Sequence, residues 1–267
     1  MTKNKNKLRW LYNILLVFFV AVFVFCIWKI ASYYIQANKS KQLNNSIVEE
    51  FVTYEEEIVN DESSKETDSA PAEKQYKIYP IPTKIDFDKL LNQNSDVVGW
   101  IFNQNGVVNY PLLQGDDNNH YLTTLIDGRK NANGSIFMDA VNNKDFSDRN
   151  TIIYGHSMKT GVMFGTLLRY RNQAYFNAYP SFYLYTPEKN YRVDIFSAYE
   201  SGSDDSVFSL LSTKEEFDSF VNYAYGKSKI KSDVQINADD NIVSFVTCAY
   251  SFEDARFIVC GKLVEIN

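Results

Sequence analysis

Residues 241–266 read N-I-V-S-F-V-T-C-A-Y-S-F-E-D-A-R-F-I-V-C-G-K-L-V-E-I. Two β-type runs, Ile242–Cys248 and Arg256–Ile266, flank a polar seven-residue connection, a spacing that suits neighbouring antiparallel strands. In that pairing Cys248 closes one strand and Arg256 opens the next, so a thiol and a guanidinium face each other across one rim. The same register sets Cys260 opposite Ser244, four residues further along, or about 13 Å at ~3.4 Å per residue. That separation exceeds the Cα reach of a disulfide, which is below about 7 Å. Cys248 is therefore expected to be a free thiol. Cys26 lies in an apolar N-terminal run, and the two remaining cysteines are too few for a disulfide scaffold.

The 267-residue chain is 45% hydrophobic and 15% aromatic, enough to bury a sizeable core. Part of that hydrophobicity is concentrated in residues 10–28, WLYNILLVFFVAVFVFCIW, where Asn13 is the one polar interruption. As a helix this run covers ~28 Å, about a bilayer core. Lys3, Lys5, Lys7 and Arg9 precede it without an acidic residue, so the positive-inside bias keeps residues 1–9 cytoplasmic and sends the C-terminal bulk outside. The run is longer than a typical signal-peptide core, and Lys29 spoils a small-x-small pattern before Ala31. Residues 10–30 are thus read as an uncleaved transmembrane anchor that places the rest of the chain on the extracellular face. Beyond Lys29, 22 basic residues stand against 33 acidic ones, a net charge of −11 that argues against nucleic acid as a partner. Plain solubility accounts for most of that acidity.

Residues 31–75 are polar and increasingly acidic, and read as a stalk. Its first half has a helical pattern through Ile47, Val48, Phe51 and Ile58, and its second half, with S-S-K-E-T-D-S-A-P-A-E-K, has the composition of a linker. A β-rich folded domain is expected over residues 76–267. Within it, 97–102 and 107–113 flank Asn103-Gln104-Asn105-Gly106, a strong hairpin signal, and 134–138 follows Asn133-Gly134 in the same manner. Further strands are expected at 151–154, 181–186 and 191–199. One segment breaks the pattern: Thr213 and Glu216 form a capping box, and Phe217, Phe220, Val221 and Ala224 repeat at helical spacing.

The chain has two histidines, His120 and His156, with no Cys-x-x-Cys, His-x-x-x-His or HExxH, so neither a metal site nor a cofactor is expected. A serine triad lacks its G-x-S-x-G elbow. His156 follows T-I-I-Y-G and so sits just past the end of an apolar β run. Taken singly, each candidate has a plainer role: His156 a hydrogen-bonded surface residue, Cys248 a small core residue, Arg256 a strand-edge charge. Together at strand termini they offer a nucleophile, a general acid and a cation for an oxyanion.

At these residues the chain resembles the sortases, most closely those of class B. The family's T-L-x-T-C motif stands here as Ser244-Phe245-Val246-Thr247-Cys248, followed by the arginine strand Arg256-Phe257-Ile258-Val259. Y-G-H-S-M at 154–158, with M-F-G-T-L-L-R-Y behind it, resembles the sortase histidine segment, and G-W-I, Y-P-L-L-Q-G, D-N-N-H-Y-L and G-S-I-F-M-D occur in the class B order. The resemblance spans roughly residues 85–266. It implies a mainly β fold, a closed eight-stranded barrel with peripheral helices, in which the histidine and cysteine strands run parallel side by side. No Asp-Pro occurs, so the lid motif of pilin-polymerising sortases is absent.

The resemblance also implies the activity. Cys248 would cleave a C-terminal sorting motif on a secreted protein after its threonine, through a thioester. The protein would then pass to an amine of a cell-wall peptide precursor, with His156 as acid and base and Arg256 holding the carbonyl or oxyanion. Motif matching adds Asn118, Leu122, Tyr154 and Thr247 as substrate-binding residues, with ordinary core packing an equal alternative for Leu122 and Tyr154. His120 is read as a surface residue. Two other activities remain open on the residues alone: a Cys-His peptidase that passes its acyl group mainly to water, and a membrane-anchored binding module without turnover.

Overall fold

The computed structural model describes residues 2–55, 76–209 and 211–266. The chain opens with α1 (Thr2–Phe51), then β1 (Val52–Tyr54), β2 (Pro82–Ile85), α2 (Phe87–Gln93), β3 (Val97–Asn103), β4 (Asn109–Leu113), β5 (Ile136–Met138) and β6 (Asn150–Tyr154). It continues through α3 (Gln173–Ala178), β7 (Ser181–Tyr185), β8 (Asn190–Ser201), α4 (Lys214–Lys227), β9 (Ile242–Cys248) and β10 (Arg256–Ile266). Eight strands, β3 to β10, close into a barrel in the order β10-β8-β7-β3-β4-β5-β6-β9, the architecture the sequence leads one to expect. Neighbours are antiparallel except β4 with β5 and β6 with β9.

The alternation of side chains along β9 shows how the barrel is filled and covered. Val243 and Phe245 point inward to a core with Phe164, Phe182, Phe257 and Val259, and the Phe182 and Phe245 rings lie 4.4 Å apart. Ile242 and Val246 point outward into a second cluster, which α4 closes with Phe217, Phe220, Val221 and Ala224. α4 begins on the expected capping box: the Glu216 amide donates to the Thr213 hydroxyl, and the Thr213 amide donates to the Glu216 carboxylate. The β3–β4 hairpin turns where Asn-Gly predicts. The Asn105 side chain accepts from the Val107 amide, and Gly106 adopts φ +71°, a conformation a Cβ would strain.

The first half of the expected stalk is helical, as read, but it packs against the barrel rather than standing free of it. α1 runs unbroken for 50 residues. Its buried positions Ala37, Ser40, Ile47 and Phe51 recur at helical spacing on the face turned to the barrel. β1 then pairs with β2, Val52 opposite Ile85. Residues 37–54 thus belong to the folded body, and a boundary at residue 76 would remove Ile47 and Phe51 from a cluster that includes Trp100, Leu113 and Phe137. Composition alone does not announce this, because Leu43, Ile47, Val48 and Phe51 suit a free helical stalk as well as a docked one, and the remaining contacts are small or polar. Asn131 donates to the Gln36 carbonyl, the Ala132 amide donates to the Gln36 side chain, and Asn44 donates to the Asn109 carbonyl. Ile58 and the linker-like segment 56–75 lie outside the described residues.

Candidate active site

Cys248 pairs with Arg256 and Cys260 with Ser244, the register read from the sequence. Cys248 is a half-exposed free thiol at the strand end. The seven-residue connection folds back tightly: the Ala249 amide donates to the Ala255 carbonyl, and the Ala255 amide to the Phe252 carbonyl. Arg256 is half-buried, and its Nη1 donates to the carbonyls of Asp254 and Ala255 at 3.1 and 3.2 Å. A guanidinium carries five N–H donors in a planar fork, so Nη2 and Nε remain for a ligand.

On the other side of β9 runs β6, parallel, with Tyr154 opposite Val246. Continuing that register sets Gly155 beside Thr247 and His156 beside Cys248. Two hydrogen bonds hold it there: the Gly155 amide donates to the Val246 carbonyl, and the buried Thr247 hydroxyl donates to the Gly155 carbonyl at 2.7 Å. Only glycine fits at 155, since a Cβ there would lie 2.7 Å from the Phe164 ring. The loop beyond is braced by the Phe164 amide donating to the His156 carbonyl and by a bridge between Ser157 and Met163. The His156 Nε2 stands 2.8 Å from the Leu122 carbonyl. A carbonyl can only accept, so Nε2 carries the hydrogen and Nδ1 is the nitrogen left for proton transfer.

Tyr154 projects from the same outer face of the sheet and lies flat against Phe208, with rings 6.4 Å apart and 7° from parallel. Its hydroxyl donates to the Asp139 carboxylate at 2.7 Å. Burial and that bond push the Tyr154 phenol well above its ordinary pKa, with Arg256 a small opposing influence. Leu122, part-buried, packs against the same cluster under α1 as Tyr154, while its carbonyl holds His156. Asn118 is half-buried, and its side-chain oxygen accepts from the Ala140 amide, fixing the chain next to Asp139. Thr247 is buried and tied to Gly155. His120 is exposed, as expected.

Three contributors escape a reading of motif positions. Asp139 holds the Tyr154 hydroxyl, and it is the last residue of the G-S-I-F-M-D stretch, where a buried acid after an apolar run was the available signal. Phe208 reaches Tyr154 from the turn Ser206–Phe208. That turn is pinned by the Asp205 carboxylate, which accepts from the Val207 amide and from the hydroxyls of Tyr199 and Tyr223. The third is the Leu122 carbonyl, a backbone group that no side-chain pattern can announce. A cleft of about 780 Å³ lined by Lys144, Asp145, Glu188, Lys189 and Glu265 lies at the opposite end of the barrel, away from this chemistry. The strand-end rim is where the register places Cys248 beside Arg256 and the His156 segment.

No family model matches the chain. Sortase B of Listeria monocytogenes is 36% identical over 177 residues, covering 64% of this chain and 71% of that protein. This chain belongs to the sortase B family. Among solved structures, the sortase B–substrate complex of Staphylococcus aureus superposes with a TM-score of 0.64 at 30% identity, over 68% of this chain and 85% of that one. The Bacillus anthracis sortase B in complex with AAEK1 gives 0.68 at 29% identity, over 87% of this chain and all of that one. The protein is accordingly a sortase-type cysteine transpeptidase on a closed eight-stranded barrel, carrying one N-terminal helix long and apolar enough to cross a membrane.

Proposed function

We propose that Cys248 is the nucleophile, His156 the proton carrier and Arg256 the oxyanion holder of this sortase B. The Cys248 thiolate attacks the threonine carbonyl carbon of a C-terminal sorting motif, forming a C–S bond. As the C–N bond breaks, His156 Nδ1 gives its proton to the departing amine, leaving a thioester. An amine of a cell-wall peptide precursor then attacks the same carbon, the C–S bond breaks, and His156 takes up the amine's proton. Nη2 and Nε of Arg256 meet the developing oxyanion, a charge-assisted contact worth more at a partly desolvated rim than in water. Tyr154, Leu122, Asn118 and Thr247 shape the groove, the first two by lining it and the last two by fixing the chain around it.

The observation that carries this reading is the position of β9: its terminal thiol is flanked by Arg256 across the antiparallel partner β10 and by the His156 segment beyond the parallel partner β6. The substrates are secreted proteins that bear the motif. With residues 1–9 in the cytoplasm and residues 10–30 across the bilayer, the barrel stands on the extracellular face, where such proteins emerge. The test is incubation with a library of sorting-motif peptides, with and without an added amine. Amine-dependent ligation at the threonine supports the reading. Hydrolysis unaffected by amine makes the enzyme a peptidase, and absence of both leaves a binding module.

A further inference from the structure

We infer that α1 is a rigid strut that seats the barrel with its active-site end toward the bilayer, and that the basic turn 127–130 rests on anionic phospholipid headgroups. The inference rests on the reading of residues 10–30 as the membrane span, and it replaces a flexible tether with a fixed orientation.

Direction comes from the helix and the sheet register. From Trp28 to Gln36 the helix advances ~12 Å, little more than the polar headgroup layer outside the hydrocarbon core. Ser32 and Tyr33 are already half-buried, and Ala37 is buried. Gln36 is hydrogen-bonded to Asn131 and Ala132. These two residues are therefore among the first parts of the barrel the chain meets on leaving the span. Phe137 pairs with Tyr154 and Met138 with Ile153, so the segment entering β5 lies at the end of the sheet from which Gly155 and His156 emerge. That is the rim of Cys248, and the same segment is hydrogen-bonded to the chain around Leu122, Asn131 to the Thr123 carbonyl and Ser135 to the Tyr121 carbonyl, where the Leu122 carbonyl holds His156.

Charge and exposure agree independently. The chain beyond Lys29 is acidic overall, yet residues 29–48 carry Lys29, Lys39 and Lys41 with no acid, and the exposed turn beside Gln36 adds Arg129 and Lys130. Asp127 pairs with Arg129, and Lys130 donates to Thr124, but the Arg129 side chain remains 62% exposed. Ile30, Tyr34 and Ile35 on the same stretch of α1 are exposed apolar side chains. Basic residues beside exposed apolar ones, next to a span, fit the interface of an anionic leaflet, where each positive charge strengthens surface binding about fivefold.

The test uses the full chain in vesicles of phosphatidylcholine with phosphatidylglycerol. A fluorophore is attached through an encoded azide at Lys159, on the rim, or at Glu188, at the far end, and energy transfer to a headgroup acceptor is read. Transfer from position 159 is expected to exceed that from 188. A flexible Gly-Ser insertion after Ala31 should abolish most of the difference, and Arg129→Gln with Lys130→Gln should reduce it further in the inserted chain. Equal transfer from both positions in the intact chain, or more from 188, would overturn the orientation while leaving the anchor. No effect of the double glutamine variant in the inserted chain would overturn the headgroup contact. Failure of the protein to float with vesicles would overturn the anchor itself, and the inference with it.

Discussion

Cys248 and Cys260 sit on the same pair of strands and project to the same side of the sheet, yet they are opposite kinds of thiol. Cys260 lies under α4 among Phe196, Tyr199 and Ile258, without solvent exposure. The Ser244 hydroxyl gives its hydrogen to Asn150, so it receives the Cys260 thiol at 3.5 Å, and burial pushes that thiol up to about 12. Cys248, four register places toward the rim, is half-exposed between the ends of β6 and β10. A thiolate is the reactive species, and an apolar cover suppresses it. What separates the two is therefore where the helix cover stops, with strand pair, sheet face and residue type held constant.

The bluntest way to break this comparison is to remove each sulfur. Cys248→Ala is expected to abolish both peptide cleavage and amine transfer, whereas Cys260→Ala keeps most of the turnover. Comparable losses in a peptide ligation assay would erase the distinction. A smaller but still large effect is expected at Arg256. Arg256→Lys keeps the charge but not the planar fork, and losing such a donor typically costs about 10²–10³ in rate. Cys248 should still react with a small thiol reagent in that variant, because its exposure is unchanged. Near-normal turnover with lysine would return Arg256 to the role of an edge charge.

A subtler probe leaves all three reacting groups in place. Thr247→Val removes the hydroxyl that ties β9 to the Gly155 carbonyl, a hydrogen bond worth ~1 kcal/mol. If it also serves to position His156, kcat/KM falls about fivefold or more, in addition to the few degrees of melting temperature that losing such a bond costs. A loss of stability alone, with kinetics intact, would make Thr247 a packing residue. The mildest effect is expected from the buried thiol. Its pKa is raised in the folded state, so between its ordinary value near 9 and about 12 the folded chain holds a proton that the unfolded chain has released. Stability contributed by that proton is complete below pH 9 and is lost as pH rises toward 12. Alkaline melts of Cys260→Ala should therefore fall less steeply than those of the parent over this window, and identical slopes would mean the thiol is not held protonated.

Much of this geometry was legible in the sequence because it follows from periodicity. The pairing of Cys248 with Arg256 and of Cys260 with Ser244 comes from two apolar runs and the length of their connection. The capping box at Thr213 and the Asn105-Gly106 turn are local chemistry. The helical pattern of Ile47, Val48 and Phe51 is legible, but its docking on the barrel is not, since the same pattern suits a free stalk and Ala37 and Asn44 join the contact through close approach and a hydrogen bond. The site was legible at its side chains and hidden elsewhere. Leu122 was singled out for its side chain, while its carbonyl fixes the His156 tautomer, and Phe208 reaches Tyr154 from a turn whose position depends on the long-range bonds to Asp205.

The central claim, that the rim thiol forms a covalent intermediate which an amine resolves, is tested most directly by intact-protein mass spectrometry with a sorting-motif peptide. Without amine, the account predicts an adduct of the peptide's N-terminal fragment on Cys248, lost on treatment with hydroxylamine and discharged as ligated product when the amine is added. No adduct, or an adduct on Cys260, or one that survives in Cys248→Ala, would contradict it.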